Sequence, residues 1–311
     1  MKQIEKYVPF IDQCLGKGSY TMEDIRGGSS YDIKKKLTCG DAAYIVKVVE
    51  GALEKTEPDR DRLLWYQALC RIHRQNPGIL GPTWYSSVNN HAVTITEWVD
   101  GAQLNDLFDR HPDLMPVYGR EVGKLLYQLH HVDFVKAAVE ERNVSVRAKV
   151  FDTVSRLKAT IKENGIHFDG MDAAIAFLDE NADAISDDRV GMVQNDVRPE
   201  NVILKDETLY LFDFDSGTIG DVFSDFTYLT AMSHHKYRPF SAAVIESYFD
   251  GDVPEVFWKV NACFCIIKLL EYAIYRYEKS GRMIAVQAEN YMNLFDNYTN
   301  PIPRWIREIA D

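Results

Sequence analysis

Cysteine is scarce. There are 5 in 311 residues, at positions 14, 39, 70, 263 and 265, an odd number with no Cys-x-x-Cys pair. That excludes a disulfide framework and a cysteine-based zinc site. Cys263 and Cys265 lie in an apolar run and read as buried free thiols. Positive charge is also short: 35 basic residues face 47 acidic ones, a formal net charge of −12. A nucleic-acid partner needs a basic face, so that class is excluded. No apolar run is long enough for a bilayer, because the most apolar stretch, residues 260–277, is interrupted by Lys268, Glu271 and Arg276. No membrane association is expected. The first residues, Met1 to Lys6, are charged and carry no apolar signal core, so the expected compartment is the reducing cytoplasm. Internal repeats and low-complexity linkers are absent, as are the Gly-x-Ser-x-Gly, His-Glu-x-x-His and dinucleotide-binding glycine fingerprints.

What is present is an ordinary globular composition, 46% hydrophobic and 26% charged, long enough for two lobes with a substantial core. The first hundred residues read as β-rich. Residues 33–37 and 43–49 form strands about a turn at Thr38-Cys39-Gly40-Asp41, residues 60–74 form a helix ended by Asn76-Pro77-Gly78, and residues 93–99 form a closing strand. The remainder is mostly helical. Tyr118, Val122, Leu125, Leu126 and Leu129 recur at helical spacing, as do Val146, Val150, Val154, Leu157 and Ile161. So do Val256, Val260, Cys263, Ile267, Leu270 and Ile274, and each stripe reads as core packing. The division expected is 1–98, a β-rich lobe, and 99–311, a mainly helical lobe.

Chemistry concentrates in Gln194-Asn195-Asp196-Val197-Arg198-Pro199-Glu200-Asn201, followed by Asp213-Phe214-Asp215. Each half adjoins an apolar strand-like run, at 190–193 and 209–212. An Asp five residues before an Asn, with a second Asp on the next strand, is the kinase arrangement: the first Asp takes the proton of the attacking hydroxyl, and the Asn and later Asp hold the metal on the nucleotide phosphates. Mg²⁺ suits such oxygen donors. From 196 to 225 there are eight acids against two bases, which favours a metal and a cationic substrate. Asp225, ahead of an apolar helix start, reads as an N-cap or an anchor for the site.

Other residues fall in the order a nucleotide lobe needs. Lys47, between Val46 and Val48, is either an edge-strand charge in water or a phosphate-binding lysine. The turn Gly27-Gly28-Ser29-Ser30 precedes it and offers backbone N–H groups and hydroxyls to phosphates. Glu57 and Asp61 are the alternative carboxylate partners for Lys47. Glu97 and Val99 lie in the connector between lobes, whose backbone can bond an adenine edge. Glu271, Glu278 and Glu289 are candidate acids for a cationic substrate. The pairs His130-His131 and His234-His235 do not share a helix face, so they read as structural and not as chelates.

These residues resemble the aminoglycoside phosphotransferase and choline kinase superfamily over nearly the full chain. Residues 194–204 are similar to its His-Gly-Asp-Leu-His-Pro-Gly-Asn-(Ile/Val)-Leu run, Phe212-Asp213-Phe214-Asp215 to its Ile-Asp-Trp-(Asp/Glu), Gly220-Asp221 with Asp225-Phe226 to its Gly-Asp-Pro-x-x-Asp-Leu, and residues 123–130 to its Leu-x-x-Leu-His helix. The resemblance implies an α+β, bilobal protein-kinase-like fold with a β-rich N-lobe and a mainly helical C-lobe. It implies Asp196 as catalytic base, Asn201 and Asp213 as Mg²⁺ ligands, Lys47 on the phosphates of ATP or GTP, and Asp215, with Asp225, as an outer or second-metal residue. The expected activity is transfer of the γ-phosphoryl group to a hydroxyl of an amine-bearing small molecule. The rivals are a non-catalytic nucleotide-binding scaffold and a metabolic kinase for choline, homoserine or a ketosamine. Gln194, Asn195, Arg198 and Glu200 depart from the motif, whereas the three groups that touch proton or metal are kept.

Overall fold

The computed structural model describes residues 4–25, 33–49, 57–88, 91–141, 145–232, 234–280 and 285–310. In chain order the elements are α1 (Val8–Leu15), β1 (Thr21–Asp24), β2 (Ile33–Cys39), β3 (Ala42–Val49), α2 (Glu57–Gln75), β4 (Trp84–Val88), β5 (His91–Glu97), β6 (Ala102–Gln103) and α3 (Leu104–Phe108). Then come α4 (Met115–His130), α5 (Asp133–Glu141), α6 (Val146–Asn164), α7 (Met171–Asn181), β7 (Val190–Val193), β8 (Val202–Lys205), β9 (Thr208–Leu211) and β10 (Thr218–Asp221). The chain finishes with α8 (His234–Tyr248), α9 (Glu255–Ser280), α10 (Ala285–Leu294) and α11 (Arg304–Ala310).

The chain divides into two compact units. The first comprises Met1–Asp109 with Pro199–Phe214, and the second Arg110–Arg198 with Asp215–Asp311. The first unit is built on an antiparallel sheet of order β1-β2-β3-β5-β4. Alternation along the strands sends Ile33 and Leu37 of β2, Val46 and Val48 of β3, and Val93 and Ile95 of β5 into one core, where Tyr7 and Ile11 at α1 join them. The turn between β2 and β3 needs a left-handed residue, supplied by Gly40 at φ 58°. A second small sheet, β6-β8-β9, belongs to the same unit. Its β8–β9 hairpin turns at Asp206 and Glu207, both at positive φ, as a two-residue turn matched to strand twist requires.

The second unit is mainly helical. The α4 stripe is buried as its spacing predicts, with Val122, Leu126 and Leu129 at zero exposure. α4 packs closely on α8 because Gly119 and Gly123 present no side chain there: a Cβ on either would lie 2.6 Å from a carbonyl of α8, that of Phe240 or Val244. The α9 stripe is buried at Val260, Cys263, Ile267 and Leu270, but Val256 is exposed, and Phe257 is the residue that enters the core. Phe257 and Trp258 are buried in the same turn, so the packed side at the start of α9 carries these two residues and not Val256. Cys263 and Cys265 are buried free thiols. Burial pushes each thiol up to about 12, which leaves them unreactive. No described helix is long and apolar enough to cross a membrane.

Candidate active site

Within the second unit, the loop after β7 carries Asp196. β7 pairs with β10 in antiparallel register, Val193 opposite Thr218 and Val190 opposite Asp221. The loop is then held by one carboxylate. Asp225 is only 1% exposed and accepts the backbone N–H groups of both Gln194 (2.8 Å) and Asn195 (2.5 Å). It also accepts from His130 Nε2 at 2.9 Å. An anionic carboxylate only accepts, so Nε2 carries the proton, and His130 Nδ1 accepts the Tyr248 hydroxyl at 2.8 Å. Burial lowers the pKa of His130, so the ring is neutral within this chain of bonds. Desolvation likewise raises that of Tyr248, which stays protonated. Asp225 therefore anchors the loop, while the N-cap of the short helix it lies in is Asp221, whose side chain accepts from Phe223 N–H.

Asn195 sits at φ 64°. That left-handed conformation favours Gly and tolerates Asn, so the departure from the glycine of the motif keeps the backbone requirement intact. The Asn195 amide donates to the Ser216 carbonyl at 2.9 Å, tying the loop to the residue after Asp215. Arg198, which replaces a motif histidine, places Nη2 3.2 Å from Asp196 Oδ2. Its guanidinium lies over the Tyr228 ring at 5.4 Å and bonds the Tyr228 hydroxyl at 3.4 Å. Asp196 and Arg198 are both partly exposed, at 24% and 34% of their side chains.

The first unit brings Asn201 and Asp213 together. Val202 of β8 faces Leu211 of β9, and the next pair outward is joined by a bond from Phe212 N–H to the Asn201 carbonyl at 3.0 Å. Asn201 and Asp213 thus leave adjacent strands at the same end. Asp213 is at φ 59°, an uncommon conformation for a non-glycine residue. The Phe214 ring beyond it packs on Trp65 of α2, with centroids 6.3 Å apart. Glu200 contributes its carbonyl to the Gln103 side chain at 2.7 Å, which fixes the turn before Asn201.

Lys47 lies on β3, the central strand of the five-stranded sheet, between Lys34 of β2 and Thr94 of β5. It is 8% exposed, so the edge-strand charge reading does not hold. Glu97 ends β5 opposite Tyr44, and Trp98 N–H continues the pairing to the Ala43 carbonyl. Val99 follows as half-buried connector. Glu57 and Asp61 lie in the first turns of α2. Gly27, Gly28, Ser29 and Ser30 lie outside the described residues. Of the acids proposed for a cationic substrate, Glu271 pairs with Lys268 at 2.9 Å and Glu278 is exposed. The side chain of Glu289 is outside the described ones. His130 and His131 diverge: His131 Nδ1 meets the Tyr127 carbonyl at 2.8 Å.

The His130–Tyr248 extension and the Arg198–Asp196 pair are what sequence reading missed. Tyr248 is 118 residues from His130, and no local pattern links them.

A β-rich unit with a buried lysine on its central strand, and a helical unit whose acid-bearing loop is clamped from beneath, define a kinase-like phosphotransferase. The family described as "Phosphotransferase enzyme family" matches residues 21–257, and the chain belongs to it. Its members are small-molecule phosphotransferases acting on hydroxyl groups, and this chain is such an enzyme. Among solved structures it is similar to a candidate aminoglycoside phosphotransferase from Ralstonia eutropha JMP134, at 15% identity and TM-score 0.66, with 98% of each chain covered. It is also similar to an amicoumacin kinase in complex with AMP-PNP, Ca²⁺ and Ami, at 11% identity and TM-score 0.59, covering 98% of this chain and 97% of that one. A third is the type VIII aminoglycoside-3'-phosphotransferase, at 19% identity and TM-score 0.53, covering 86% and 99%. At these identities the likeness establishes the protein-kinase-like fold. No curated protein sequence matches the chain.

Proposed function

We propose that the chain is an ATP-dependent, or GTP-dependent, small-molecule O-kinase of the aminoglycoside phosphotransferase type, using Mg²⁺ and acting on a hydroxyl of an amine-bearing substrate. The observation that carries this reading is the placement of Asn201 and Asp213 at one end of adjacent strands, tied by the Phe212–Asn201 backbone bond. A carboxamide and a carboxylate are hard oxygen donors, which suits Mg²⁺. Asn201 and Asp213 are the two protein ligands this reading assigns to the ion. That fits an ion shared with nucleotide phosphates, since Mg²⁺ takes one or two carboxylates plus phosphates and water. When bound, the ion would offset the charge of the phosphates.

In this reading Asp196 accepts the acceptor hydroxyl's proton on its carboxylate. Arg198 holds Oδ2 of that carboxylate and, stacked on Tyr228, limits its rotamers. Asp225 fixes the two preceding peptide N–H groups, so the base is positioned by a rigid support. Lys47 binds the α/β-phosphates, and Gly27 to Ser30 cover them. Asp215 supports the metal ligands from outside.

The test is a panel of hydroxyl compounds read by ADP release: aminoglycosides, choline, homoserine and ketosamines. Turnover of an amine-bearing member is expected, and Asp196→Asn should reduce it roughly 10²–10⁴-fold. Full activity in Asp196→Asn would overturn the assignment of the base. Calorimetry supplies a second readout: Mg²⁺-dependent ATP binding is expected, and ATP binding that does not depend on Mg²⁺ would overturn the metal assignment.

A further inference from the structure

The second unit contains a groove that none of the residues given a chemical role above lines. It has a volume of about 1280 Å³ and lies between the C-terminal turns of α4 and α8, the entry to α5 and the start of β7. Its charge is less balanced than its composition suggests. Arg189 is bound to Asp221, Nη2 to Oδ2 at 2.8 Å, and covers the Phe223 ring. Lys124 is paired with Glu121 at 2.7 Å. Of the groove's cations this leaves Arg120 and Lys136 to face four carboxylates, Asp133, Asp188, Glu246 and Asp250. The last turns of α4 and α8 add two helix C-termini, whose carbonyls carry partial negative charge. Tyr127 stands on this wall with 48% of its surface exposed, its ring stacked on His131 at 3.9 Å, and half-buried Phe249 lies nearby in the lining. An exposed tyrosine ring, surplus carboxylates and helix C-termini share one complement, a cation with an apolar body.

The groove also adjoins the support of the catalytic loop. Tyr248 is buried at the base of this wall, its ring edge-on to the exposed Tyr127 ring with centroids 5.6 Å apart, and the His130 side chain is fully buried behind it. The Tyr248–His130 hydrogen bond continues through Asp225 to the Gln194 and Asn195 amides, immediately before Asp196. A ligand packed against Tyr127 restrains the Tyr248 ring behind it, the first member of that chain.

We propose that this groove is a second ligand site, taking an organic ammonium ion, and that its occupancy is felt at the catalytic loop through Tyr248, His130 and Asp225. The binding step is independent of the kinase reading, since it needs neither nucleotide nor turnover.

The experiment titrates the full chain, without nucleotide and at low salt, with benzyltrimethylammonium, benzyl alcohol and benzenesulfonate by calorimetry. The cation should bind more tightly than the neutral and anionic probes, and added NaCl should weaken it. Tyr127→Ala and Glu246→Gln are exposed substitutions whose melting temperatures should match the parent's, and each should weaken the cation about fivefold. Saturation with the cation should slow hydrogen exchange of the Gln194 and Asn195 amides. Absence of binding, preference for benzenesulfonate, or binding that both substitutions leave unchanged would overturn the site. Binding at the groove without a change in those two amides would overturn the coupling. Kinase assays fail or succeed separately from all of these readouts.

Discussion

Replacing Asp225 with Ala removes a single acceptor that serves three donors: the buried N–H of Gln194 and Nε2–H of His130, and the part-buried N–H of Asn195. Hydrogen bonds to a charged group contribute about 1.5–3 kcal/mol each, which for three gives an upper range of roughly 5–9 kcal/mol. Shared partners are not additive, and some donors will find water in the space left behind. Leaving a buried donor without a partner costs about 1–3 kcal/mol, and with three donors affected we expect about 4 kcal/mol here. Asp225→Asn keeps one acceptor oxygen but turns an NH₂ toward a donor, so it should cost about half as much. The assay is urea unfolding followed by tyrosine and tryptophan fluorescence. A 4 kcal/mol loss at a slope of about 2–3 kcal/mol/M lowers the midpoint by about 1.3–2 M. The ordering parent, Asn, Ala is the expected result, with faster amide exchange at Asn195 in both variants. An Asp225→Ala midpoint within about 0.3 M of the parent would refute the claim that this carboxylate supports the loop.

Two further outcomes follow from the same geometry. His130 is held neutral by burial, which outweighs the nearby Asp225 and Asp221, so its folded pKa lies below the ordinary 6.5. As pH falls through 6.5 the unfolded chain takes a proton that the folded chain refuses, and stability drops until the folded pKa is reached. The slope approaches about 1.4 kcal/mol per pH unit, and His130→Gln should flatten the dependence of the urea midpoint between pH 7 and 5 relative to the parent. At Asn195, whose φ is 64°, Gly should be tolerated in both stability and activity. Ala should cost about 1 kcal/mol and reduce turnover by displacing Asp196, as thermal melts and ADP release would show.

The pattern of the sequence was enough for the elements around the site. Apolar runs flanked by turn residues located β7 and β9, because strands in a buried setting need continuous apolar side chains and their ends need polar turns. Helical spacing located α4, α6 and α9, since a helix buries one face at a fixed period. It placed Val256 in the core wrongly, because the packed side at the start of α9 is the one that carries Phe257 and Trp258.

The order of Asp196, Asn201 and Asp213, and the residue types themselves, were determined by the sequence alone. Proton transfer and metal binding depend on carboxylate and amide chemistry, and spacing of five and twelve residues is written in the chain. Only the tertiary structure decided what holds them. It put Lys47 on a central strand where water is excluded. It grouped residues 199–214 with the N-terminal unit. It also joined His130, Asp225 and Tyr248, 95 and 118 residues apart in pairs, into one line of hydrogen bonds behind the loop. A buried polar side chain must find a partner, but which partner is set by how helices pack. Here two glycines of α4 let α8 approach closely enough to bring that tyrosine within reach.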